Sequence, residues 1–133
     1  MSLIRNREYK QQICDFSNLR WGNIIPTDID MCVEYGGKLF VLAEAKYGTA
    51  EMPLGQKLAI ERITDAIHNP GKGVFSVAFV VSHKESGDID MSKTVVTKYR
   101  YNNRWHLPTD PNATLLDGIN TFRQHLLGNN DGR

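Results

Sequence analysis

Two runs, the wholly apolar LFVLA at residues 39–43 and the largely apolar VFSVAFVVS at residues 74–82, constrain the fold of this chain more than anything else in it. Strand side chains alternate between two faces, so a run that stays apolar throughout must be covered on both sides. Such strands belong in the interior of a sheet. Between the runs, Gln56, Ile60, Ile63 and Ile67 recur at spacings of four, three and four, which marks one face of a helix over residues 54–68. Asn69-Pro70-Gly71 then stops that helix. Strand, helix and strand in this order predict a parallel pair joined by a helical crossover.

The flanking segments extend the pattern. Residues 3–16 read as a first helix with Ser2 as its N-cap, and residues 23–35 read as extended chain. Gly36-Gly37 is a turn signal leading into a return strand over residues 38–46. Residues 94–101 and 104–107 suit a second hairpin around Asn102-Asn103. A last helix, capped by Asn112 or Thr114, runs to about residue 127. The expected order is α-β-β-β-α-β followed by a hairpin and a helix, an α/β fold with a mixed sheet flanked by helices. A length of 133 residues fits one domain and leaves no room for a second.

Sixteen basic and fifteen acidic side chains give a net charge of only +1, so any nucleic-acid surface must come from local clustering. Cys14 and Cys32 show no metal-ligand spacing and read as small buried thiols in a reducing compartment. The longest apolar runs, residues 39–43 and 77–81, are too short to span a membrane, and residues 1–10 lack an apolar secretion segment. A soluble cytoplasmic protein without a membrane partner is expected.

The chemistry concentrates in PTDID, with Asp28 and Asp30, and in EAK, with Glu44 and Lys46. Carboxylates at the ends of adjacent strands can grip a hard divalent cation, and Lys46 shares the strand face of Glu44. Metal-assisted phosphodiester hydrolysis needs such parts: an ion to activate water, and a cation near the developing negative charge. Register decides whether they meet. A plain two-residue turn at Gly36-Gly37 would set Glu44 opposite Ile29 and send both aspartates to the other face. A three-residue loop or a bulge shifts the pairing by one and sets Asp30 opposite Glu44. A site here requires such an irregularity. Asp30 is preferred to Asp28 as the ligand, with Asp28 as a second ligand or an orienting group.

Asp30, the hairpin and Glu44-Ala45-Lys46 resemble the motif of the PD-(D/E)XK nuclease superfamily, whose αβββαβ core would cover residues 3–82. The chain is similar to Holliday-junction-resolvase-like, RecB-like and small phage-encoded members. There a glutamate on the first helix joins the metal site, and Glu8 matches it; a glutamine on the helix after the motif is matched by Gln56. The resemblance implies Asp30 and Glu44 as ligands of Mg²⁺ or Mn²⁺, with the Ala45 carbonyl contributing. It implies Lys46 as catalytic base or water-positioning group, and Glu8 and Gln56 as accessory residues. The implied activity is structure-selective or nonspecific hydrolysis of DNA, by a homodimer where two strands are cut together. A nuclease acting on RNA and an inactive nucleic-acid-binding module on the same fold are the alternatives. A phage-encoded member would work in the host cytoplasm.

A weaker signal lies in KTVVTKYRYNNRWH, where Lys98, Arg100 and Arg104 alternate with Tyr99, Tyr101 and Trp105. Lys98, Arg100, Arg104 and Trp105 are candidate nucleic-acid contacts, since cations pair with phosphates and aromatic faces stack on bases. The competing reading is an edge hairpin with aromatics in the core and cations in solvent.

Overall fold

In the computed structural model, which describes residue 12 and residues 15–128, the apolar runs lie side by side in one mixed sheet. Its strands are β1 (Met31–Tyr35), β2 (Leu39–Tyr47), β3 (Phe75–His83), β4 (Val95–Tyr101) and β5 (Arg104–His106), in that spatial order. β2 and β3 are parallel, and the other neighbours are antiparallel. Helix α1 (Leu54–Ile67) makes the crossover, and helix α2 (Leu115–Leu127) closes the described chain. The helix expected over residues 3–16 falls almost entirely outside the described residues, as do Glu8 and Cys14.

Alternation along the central strands feeds two cores. Leu39, Val41, Ala43, Val77, Phe79 and Val81 are buried with Leu115, and Ile119 and Phe122 of α2 pack against them. Leu42 and Ala78, on the opposite face, meet Ile60 of α1. Each fully buried aliphatic or aromatic side chain stabilises the fold by about 1.5–3 kcal/mol relative to exposure. The sheet is thus covered by α1 on one face and α2 on the other.

Local chemistry explains the elements. Thr114 caps α2: its hydroxyl accepts from Asp117 N–H at 3.2 Å while the Asp117 carboxylate accepts from Thr114 N–H at 3.2 Å. Helix α1 begins after Pro53 with no side-chain cap and no acidic residue in its first turn, so it depends on packing. Asn102 and Asn103, at φ 53° and 65°, form the two-residue turn between β4 and β5.

Three expectations are corrected. Three strands were expected before α1, but the described residues form two. Residues 21–30 make only an isolated Trp21–Ile24 bridge, Pro26 offers no N–H to a ladder, and Ile24 and Ile25 stay 69% and 59% exposed. The αβββαβ order is therefore not present among the described residues; an α/β fold with an open five-stranded mixed sheet is. Ile63 is not part of the buried face: the buried positions of α1 are Ile60 and Thr64, one turn apart, and Ile63 is 38% exposed. Cys32 is exposed rather than buried, because it lies on edge strand β1 facing away from the core formed with α2. Among the described residues, no helix is long and apolar enough to cross a membrane.

Candidate functional site

The connection between β1 and β2 is a three-residue loop. Tyr35 pairs with Leu39, leaving Gly36, Gly37 and Lys38 to turn the chain. Gly36 and Gly37 take φ of 55° and 73°, where a side chain would be strained, and the Glu34 carboxylate accepts from Gly37 N–H. Lys38 N–H closes the loop on Tyr35 carbonyl at 2.9 Å. The pairing Met31 with Ala43 then carries Asp30 to the position opposite Glu44. This is the register a site requires.

Backbone and carboxylates interlock there. Asp30 N–H donates to Glu44 Oε2 at 3.2 Å, and Ala45 N–H donates to Asp30 Oδ2 at 2.8 Å. Two residues along β2, Lys46 Nζ lies 3.5 Å from Glu44 Oε1 and donates to Gln56 Oε1 at 2.9 Å. Gln56, in the first turn of α1, donates in turn to the Asp28 carbonyl at 3.2 Å. Asp30, Glu44, Lys46 and Gln56 thus converge on the α1 face of the sheet. Asp28 joins through its main chain, and its side chain is exposed.

Glu44 is 4% exposed, although it is a carboxylate on an interior strand. Burial pushes its pKa above the ordinary value, and the nearby negative charge of Asp30 adds to the effect; Gln56, the Asp30 amide and Lys46 oppose it. A buried carboxylate beside a second, exposed one gains from a divalent cation, which would remove both penalties at once. Among the described residues no group of three or more His, Cys, Asp or Glu could hold a metal. Two carboxylates are nevertheless sufficient for Mg²⁺, which keeps waters and takes substrate phosphate oxygens into its shell. Asp30 and Glu44 are therefore the described residues that could hold the ion the resemblance implies.

The four candidate nucleic-acid contacts are divided. Arg100 makes a bidentate pair with Asp65 of α1, at 3.0 and 2.6 Å. Trp105 donates its indole N–H to Glu61 at 2.6 Å, which together with Lys57 and Arg100 holds the Glu61 carboxyl below its usual value. Lys98 lies over the Trp105 ring, 4.8 Å from its centroid, and Arg104 is exposed. Glu61 and Asp65 had no place in the sequence reading; their spacing of four on α1 was the available signal. A bulge also went unforeseen. Between Val80 and Val81 the pairing with β4 shifts, leaving Thr97 as the extra residue, with its hydroxyl donating to the Val80 carbonyl at 3.0 Å.

No protein-family model, curated protein or solved structure matches this chain.

Proposed function

We propose that this chain is a small metal-dependent nuclease of the PD-(D/E)XK kind, hydrolysing phosphodiester bonds in DNA. The observation that carries the reading is the register set by the three-residue loop, which brings Asp30 and Glu44 together with Lys46 and Gln56 on one sheet face. Mg²⁺ or Mn²⁺ held by Asp30, Glu44 and the Ala45 carbonyl would supply Lewis acidity and lower the pKa of a bound water. Lys46 faces two acceptors, Gln56 Oε1 and Glu44 Oε1, so it serves as a donor. That favours water positioning and charge neutralisation over proton abstraction. Gln56 links Lys46 to the main chain at Asp28 and fixes the ammonium relative to both carboxylates. Glu8 remains a candidate further ligand, and a homodimer remains the arrangement for cutting two strands.

One observation favours a second reading, an inactive binding module. The Asp30 and Glu44 oxygens already accept main-chain N–H groups, as purely structural carboxylates do. A panel of single-stranded, duplex, flapped and branched DNA, with an RNA arm, separates the two. Cleavage of DNA that needs Mg²⁺ or Mn²⁺ and stops with chelator is the expected result. Nucleic-acid binding without cation binding or cleavage would establish the module instead.

A further inference from the structure

A cavity of about 230 Å³ opens beside Lys46, between the loop that follows β2 and the bulge of β4. Lys46 and Lys98 both line it, together with Thr49, Ser82 and Thr97 and with Glu51 as its acidic member. The sheet explains the placement. Glu44 pairs with Val80, and Val80 pairs with Lys98, so these residues form one row across β2, β3 and β4 on the α1 face. Strands lie about 4.8 Å apart, so Lys98 is rooted about 10 Å from Glu44, one full strand beyond the carboxylates. The bulge at Thr97 interrupts the regular pairing beside the cavity, as bulges do where a side chain is re-aimed.

Lys98 is also held in place. Its ammonium lies 4.8 Å from the centroid of Trp105, whose indole is fixed by Glu61 at 2.6 Å. The neighbouring cation on β4, Arg100, is taken up by Asp65. Of the basic residues in this hairpin, Lys98 is the one that lines the cavity.

We propose that this cavity is a subsite for a second phosphate of the same nucleic-acid strand, with Lys98 as the residue that binds it and Trp105 and Glu61 as its positioning residues. The inference rests on the nuclease reading, and it narrows the substrate class to a polynucleotide with a phosphate flanking the reacting one. Recognition is then by backbone charge, with Trp105 acting as a platform for Lys98 and not as a stacking surface for bases.

The test reads binding in chelator, where a failure of catalysis cannot disturb it. A labelled DNA oligonucleotide is titrated by fluorescence anisotropy across a range of salt, with circular dichroism to verify folding. Lys98→Ala should weaken binding about tenfold at low salt and reduce the salt slope by about one, while Lys98→Arg retains both. Lys72→Ala, which removes the same charge from the turn before β3, should stay near wild type. Equal effects of Lys98→Ala and Lys72→Ala, or no oligonucleotide binding by the wild-type chain, would overturn the proposal. A loss in Lys98→Ala supports it even if no cleavage is ever seen.

Discussion

Glu44 and His68 show at the residue scale how burial is used differently in two parts of the chain. Glu44 is a buried acid beside a second carboxylate, Asp30, an arrangement that favours an incoming cation. His68 is half-buried at the end of α1, where its Nδ1 accepts from Ser76 N–H at 3.1 Å and its ring meets Phe75 and Tyr101 edge-on. Burial lowers the His68 pKa below the ordinary histidine value, against the opposing effects of Asp65 and Asn102. The folded state therefore takes up its proton at lower pH than the unfolded state does. Stability from this group is present above the unfolded value of about 6.5 and is lost as pH falls toward the folded value. Urea midpoints should drop between about pH 7.5 and about pH 5.5, and the drop should be smaller in His68→Gln. An equal pH dependence in the variant would count against this assignment.

Elements in this chain are set by different amounts of local information. A paired substitution of helical glycines isolates the packing contribution. A Cβ at Gly118 of α2 would lie 2.8 Å from Phe79 Cε1, and that ring is itself packed against Tyr99 and Phe122. The helix propensity gained by Ala, about 1 kcal/mol, is then outweighed by an overpacking cost of about 1–3 kcal/mol. At Gly55 of α1 a Cβ meets nothing within 4 Å among the described residues, so propensity acts alone. Thermal melts should show Gly118→Ala lowering Tm and Gly55→Ala raising it.

The same contrast explains what could be read from sequence. The parallel β2–β3 pair was legible because both runs are apolar on both faces, and α2 was legible because Thr114 caps it with its own side chain. Residues 23–30 stay outside the sheet because apolar content at Ile24 and Ile25 does not compensate for Pro26 and the tight bridge at Trp21–Ile24. The bulge at Thr97 has no local signature. It follows from the way β4 lies along β3.

At the scale of the whole molecule, the sheet is the device that collects residues distant in sequence. Asp30 and Glu44 are 14 residues apart and meet through the hairpin. Gln56 reaches Lys46 only because the crossover returns α1 over that face of the sheet. The aspartate, the EAK stretch and the glutamine were legible as a set through the motif they resemble, and the three-residue loop supplies the register that brings them together. The fate of the basic hairpin was not, because Glu61 and Asp65 meet it only after α1 has docked on the sheet. With a net charge of only +1, the proposed attraction of nucleic acid would rest on local cations such as Lys46 and Lys98.

The central claim is that Asp30, Glu44 and Lys46 form one cation-dependent hydrolytic site, and single-turnover cleavage of DNA in saturating Mg²⁺ tests it most directly, alongside calorimetric titration of the cation. Wild type should bind the cation and cleave. Lys46→Ala should still bind it but cleave about 10²–10³-fold more slowly, and Glu44→Gln should lose both binding and cleavage. Cleavage rates unchanged by Lys46→Ala and Glu44→Gln, or a wild-type chain that neither binds the cation nor cleaves, would contradict it.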